Sequence, residues 1–143
     1  MPRKSKRMQS ILELAKHDEQ AAIEALGESN RIVEAHIKQL EELKLYRDEY
    51  RQQMLQEGEA GFSAGKLQQF HQFLLKLDEI IVQQGQQIVV SEQIREQKRV
   101  AWLESRTRTN SLDKVAQRYR ETENEEDQRR DQKESDEVAQ QRR

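Results

Sequence analysis

The chain has 143 residues, no cysteine and a net charge of −2, with 36% charged residues against 34% hydrophobic ones. The absence of cysteine excludes disulfide frameworks, thiolate zinc sites and cysteine nucleophiles, and 25 basic against 27 acidic side chains give no overall field to gather nucleic acid. Only 5% of residues are aromatic and one is proline, the profile of long helices and coiled coils rather than of a domain with a sizeable core.

The chain opens on a basic tip, Arg3, Lys4, Lys6 and Arg7. This tip leads into LELAKHDEQ rather than an apolar core, so no signal peptide is expected, and no later stretch is apolar enough to span a membrane. A soluble, cytoplasmic chain is the expectation. A first helical arm over about residues 5–56 can be stepped by alternating fours and threes. The steps fall on Met8, Leu12, Ala15, Glu19, Ala22, Leu26, Ser29, Val33, His36, Leu40, Leu43, Arg47, Tyr50 and Met54. A period near 3.5 held over that distance keeps one stripe facing a partner helix, and Ile11, Ile23, Ile32, Ile37 and Leu45 widen it.

A glycine cluster, Gly58, Gly61 and Gly65, marks a turn over about residues 57–65, with Ser63 placed to cap the next helix. Isolated Gly27 and Gly85 mark soft points within the arms. The second arm, about residues 66–120, steps through Leu67, Phe70, Leu74, Leu77, Ile81, Gln84 and Ile88. Apolar residues then lose phase near Arg95 and Lys98 and resume at Trp102, Leu112, Val115 or Ala116, and Tyr119. A shift of the buried face is expected over residues 89–103. With the fold point near Gly61, residue i of the first arm faces about residue 121 minus i of the second. That arithmetic sets Met54 against Leu67, Leu40 against Ile81, Val33 against Ile88, and Trp102 near the small Ala15 and Ala22. Residues 121–143, nearly devoid of an apolar stripe and rich in acids from Glu121 to Glu137, overhang and are expected to fray when alone. The fold class is therefore all-α: two long helices in one antiparallel coiled-coil hairpin domain, on the order of 80 Å long, with a C-terminal overhang.

An enzyme is not expected of such a molecule. His17, His36 and His71 have no ligand-spaced partner, so no metal site is expected, and no phosphate-binding glycine loop is present. Carboxylates abound, but two helices provide no desolvated cleft to tune them, and no cofactor is implied. Arg95, Lys98, Arg99, Arg106 and Arg108 form a basic stretch, yet Glu92, Glu96 and Glu104 interrupt it and there is no aromatic interleaving of the kind that supports base stacking, Trp102 being a single ring. Neither nucleic acid nor membrane insertion is expected. The residues flanking the turn say more. Gln39, Leu43, Tyr46 and Tyr50 line one face of the first arm, and Phe73, Leu77, Ile80 and Gln84 one face of the second, and antiparallel pairing sets the two faces side by side. Tyr46 and Phe73 fit the seam poorly, so an exposed aromatic docking patch is expected.

In length and layout the chain resembles the FliJ family, small helical components of the bacterial flagellar type III export apparatus. The resemblance is most specific in Leu40 to Arg51, LEELKLYRDEYR, where L-x-x-Y-x-x-E-Y-R precedes the glycine-bearing turn, and in Gln72-Phe73 with Leu77 after it. The chain departs from the family pattern at Ile80 and Gln84, where other members carry a small residue and a histidine. The resemblance implies a non-catalytic antiparallel coiled coil similar to the central stalk of rotary ATPases, a monomer when free, working at the cytoplasmic face of the membrane-embedded export apparatus. Its end with both termini would enter the hexameric flagellar export ATPase and promote ring assembly. Its turn end would meet the export-gate membrane protein, and the family is also associated with recycling of export chaperones. The gate-binding candidates it implies are Leu43, Tyr46, Tyr50, Phe73 and Leu77, with Gln39, Ile80 and Gln84 in a lesser rank. Met8, Ile11, Leu12, Val115 and Tyr119 are nominated for the ATPase by their location near the termini. Two other readings stand beside this one: an injectisome-type stalk protein, and a structural coiled coil that self-associates through its aromatics and overhang.

Overall fold

A computed structural model describes residues 3–142. Two helices carry nearly all of them, α1 Lys4–Glu59 and α2 Ala64–Gln141, of 56 and 78 residues. Both consist mainly of Leu, Gln, Glu, Lys, Arg and Ala, which lose little side-chain freedom in a helix. The helices run without interruption through Gly27 and Gly85.

The connection is short and specified by three residues. At the end of α1 the amides of Ala60 and Gly61 donate to the carbonyls of Glu57 and Gly58, at 3.3 and 3.0 Å, which satisfies two carbonyls that the helix end would leave free. Gly61 has φ +91°, a left-handed conformation that costs a side-chain-bearing residue about 1 kcal/mol or more. Ser63 caps α2 as expected, its Oγ accepting from the Lys66 amide at 3.2 Å.

Contacts along the chain divide it into two compact units, Ala25–Arg99 and Met1–Glu24 with Val100–Arg143. In the turn-bearing unit the two helices run antiparallel. Every seam position expected of α1 there, from Leu26 to Met54, is buried or half-buried, and α2 answers with buried Phe70, Leu74, Leu77, Ile81 and Gln84. Gln84 reaches across to α1, donating to the His36 carbonyl at 2.9 Å and lying 3.3 Å from His36 Nδ1. One expectation fails at the turn: Leu67 is 40% exposed rather than packed on the seam. Phe62 from the connection covers that end instead, its ring 5.3 Å from that of Phe70.

In the unit that holds both termini the core is smaller. Leu12, Ala15, Ala116 and Thr109 are buried, and the Thr109 hydroxyl donates to Ser105 O at 2.9 Å with the Ala15 carbonyl at 3.3 Å. Trp102, Ser105, Thr109, Leu112, Ala116, Tyr119 and Glu123 all face inward or half-inward at steps of three and four. Pairing here runs further along α2 than the arithmetic from the turn gives. Arg120 contacts Gln9 at 3.5 Å, Ser5 bonds to Glu123 and Arg3 pairs with Asp127 at 2.7 Å, where the arithmetic gives residues 112, 116 and 118. Side chains lean toward their own helix N-terminus, and in an antiparallel pair this makes tips meet past the level of their Cα atoms. The long Arg and Glu chains reach a further turn.

Two expectations change with this. The predicted loss of phase over residues 89–103 is in part a change of residue type: Ser91 and Arg95 continue the spacing after Ile88 with polar side chains, while Lys98, at the next step, is exposed. Ser91 is buried because its hydroxyl donates to Ile88 O at 2.8 Å, as that of Ser29 does to Leu26 O at 2.7 Å. The expected overhang from residue 121 starts after Asp127 and is helical to Gln141. Arg130 with Asp127 and Gln132 with Asp136 supply the i,i+3 and i,i+4 contacts that favour helix there.

Candidate functional site

Beside the turn, five rings form a continuous ladder. Phe62 meets Phe70 at 5.3 Å, Phe70 meets Tyr50 at 5.1 Å, Tyr50 meets Phe73 at 4.4 Å, and Phe73 meets Tyr46 at 6.1 Å with the ring planes at 78°. The last is an edge-to-face contact, which sets the positive edge of one ring against the negative face of the other. The ladder passes from inside to outside. Phe70 is 7% exposed, whereas Phe73 is 37% and Tyr46 49% exposed.

Placement sorts the residues named from sequence for this face. Tyr46, Phe73, Ile80 and Gln39 are exposed and can be touched by a partner as they stand; Leu43 and Tyr50 are half-buried. Leu77 and Gln84 are 4% and 9% exposed and lie in the seam, so direct contact through them would require the helices to part. Leu77 packs in the seam one turn beyond Phe73, whereas Gln84 bonds to His36 about 15 Å further along the helices. Beside the rings Arg47 lies 3.6 Å from Asp78 across the seam, leaving the aromatic surface flanked by a charge pair.

In the unit that holds both termini, residues nominated by location lie around a groove. Met8, Ile11 and Tyr119 line it together with Lys4 and Arg7, and the Lys4 ammonium sits 5.9 Å from the centre of the Tyr119 ring. Leu12, at 1% exposure, is core and inaccessible to a partner, and Val115 is half-buried outside the groove. Beside the groove lies a polar clasp: Arg3 with Asp127, and the Ser5 amide and hydroxyl both donating to Glu123. The Arg3 guanidinium holds the Asp127 carboxyl below the usual carboxylate range, and the Ser5 hydroxyl does the same for Glu123.

Sequence reasoning misses three features. Phe62 is hidden in the glycine-rich turn, although an aromatic residue between Gly61 and Ser63 is itself a signal that a ring folds back. The clasp joins the two charged tips, whose opposite sign makes an attraction expected from the sequence but does not say which side chains meet. Leu75, Val82 and Val89 are 64%, 60% and 54% exposed at seven-residue spacing, a second apolar row on the outside of α2 that the same stepping would find. Among the described residues no cluster of His, Asp and Glu could hold a metal, and no helix is long and apolar enough to cross a membrane.

A family model described as the flagellar FliJ protein matches residues 4–143. No curated protein and no solved structure matches the chain.

Proposed function

Because the chain belongs to the flagellar FliJ family, proteins of flagellar export, we propose that it is a non-catalytic coupling component of that export apparatus. In this reading the unit holding both termini engages the hexameric export ATPase and promotes assembly of its ring, while the face beside the turn docks on the export-gate membrane protein. The same chain also takes part in recycling export chaperones. It acts in the cytoplasm, at the inner face of the membrane-embedded apparatus, and is a monomer when free.

The observation that carries the reading is the exposed edge-to-face pair of Tyr46 and Phe73. Aromatic side chains presented on a fixed floor are the usual anchors of protein interfaces, since they bring large area at little entropic cost. Further support comes from the groove of Lys4, Arg7, Met8, Ile11 and Tyr119, a mixed basic and apolar surface near the start of α1.

The test is a titration of the cognate flagellar export ATPase with the full chain, monitoring hydrolysis and ring formation. Stimulation that saturates near one chain per hexamer is expected. No effect on an ATPase shown to be competent would overturn the coupling role.

A further inference from the structure

We infer that Phe62 is a positioning residue for the Tyr46–Phe73 pair, an inference that rests on the docking role proposed above for that pair. All three phenylalanines and two of the three tyrosines of the chain belong to the one ladder that Phe62 begins. The connection is built to place its ring. Gly61 adopts the left-handed conformation that turns the chain back, and Gly58 leaves the space the ring occupies: a Cβ there would stand 2.9 Å from Phe62 Cε2. On the outside the Lys66 ammonium lies 5.9 Å from the centre of the Phe62 ring and is itself held 3.1 Å from Glu57. Phe62 is thus fixed between backbone, cation and Phe70.

From there each ring limits the next. Phe70 has Phe62 on one side and Tyr50 on the other; Tyr50 in turn packs on Phe73 at 4.4 Å, the shortest spacing of the ladder. Phe73 is partly open to solvent and would have several rotamers available without that packing. With it, the exposed pair is presented in one arrangement before any partner arrives, and pre-organisation of this kind lowers the entropic cost of docking. The turn therefore reaches the docking face through ring packing.

Three variants of the full chain test this: Phe62→Ala, Phe62→Leu and Gly58→Ala. The last is the control for folding, because alanine favours helix over glycine while its Cβ displaces the Phe62 ring. Two readouts are taken on each: the nuclear Overhauser contact between the Tyr46 and Phe73 rings, and affinity for the purified cytoplasmic domain of the export-gate protein. Phe62→Ala and Gly58→Ala are expected to weaken the ring contact and lower affinity about fivefold, the size of one aromatic pairing, with Phe62→Leu in between. An unchanged ring contact in helical Phe62→Ala, or in Gly58→Ala should Phe62→Ala unfold, overturns the inference. If Tyr46→Ala binds the gate domain as well as the parent chain does, the docking reading fails, and the ring contact still decides whether Phe62 positions the pair.

Discussion

Replacing Tyr46 and Phe73 by alanine, singly and together, separates docking from folding. A fully buried aromatic costs about 3–5 kcal/mol when truncated. Tyr46 is 49% and Phe73 37% exposed, so scaling by the buried fraction gives about 1.5–2.5 and about 2–3 kcal/mol of folding stability respectively. The two changes share the edge-to-face contact, worth about 0.5–1.5 kcal/mol, so the double variant should be less destabilised than the sum by that amount. Docking should suffer to a comparable degree. An aromatic anchor that becomes fully covered contributes about 2 kcal/mol or more, roughly thirtyfold in Kd, and helicity in the absence of denaturant should hardly change. Urea unfolding monitored by far-UV circular dichroism gives the first quantity, and calorimetric titration with the gate-protein domain the second. Tyr46→Phe keeps the ring and isolates the hydroxyl. Strictly additive stability losses together with unaltered affinity would refute both the pairing and its role.

Local geometry sets three further outcomes. Gly61→Ala should destabilise by about 1–2 kcal/mol through its φ of +91°, whereas Gly85→Ala, with nothing within 4 Å of the added methyl, should stabilise by about 0.5–1 kcal/mol; thermal melts of the two should move in opposite directions. The clasp should open in acid: Asp127 and Glu123 have lowered pKa values in the folded chain, so their contribution is present above the ordinary carboxylate range and is lost as pH falls below about 4. The Ser5 amide resonance should report that opening, and Glu123→Gln should remove its pH dependence while Asp127→Asn leaves it in place. Ending the chain after Gln128 should change unfolding free energy by less than about 0.5 kcal/mol, because α2 beyond that point is exposed throughout, whereas ending it after Arg120 should also delete the partners of Arg3 and Ser5 and free the start of α1.

The helices, the turn and the α1 seam are legible in the sequence because each rests on a local rule: helix propensity, glycine at a helix end, and a sustained three-four spacing. The stretch after Ile88 misleads for a physical reason. Periodicity is normally detected through apolar residues, and here the inward positions are filled by Ser91, Arg95, Ser105 and Thr109, whose polar groups are either satisfied by backbone carbonyls or reach the rim. Burial of a small hydroxyl costs little once it donates to a carbonyl a turn away, so inward positions persist where hydropathy stops. Beside the turn, spacing marks out Tyr46 and Phe73, but the ladder from Phe62 depends on ring distances that no spacing rule contains. Of the clasp only the attraction of oppositely charged tips is legible; its partners are not, because long charged side chains make contacts offset from the level of their backbones.

The contrast between the two cores leads to a last expectation, for hydrogen exchange. The turn-bearing unit buries Val33, Phe70, Leu74, Leu77 and Ile81, all large apolar side chains. Among the buried apolar residues of the terminal unit only Leu12 is large, the others being Ala15 and Ala116, and its clasp is a set of partly exposed polar contacts that adds little apolar burial. At about 1.5–3 kcal/mol for each large side chain taken from water, the difference amounts to roughly 5 kcal/mol or more in favour of the turn-bearing unit. Amides of α1 around Leu12 and of α2 around Ala116 should therefore exchange through openings of low free energy, while those around Val33 and Leu77 should be the slowest of the chain. This ordering suits the proposed roles, since a face that presents pre-set rings needs a rigid floor and an end that adapts to a ring of subunits does not. Uniform protection along both helices would mean that the polar seam and the clasp hold as firmly as the aromatic core, and the assignment of an adaptable and a fixed end would fall with it.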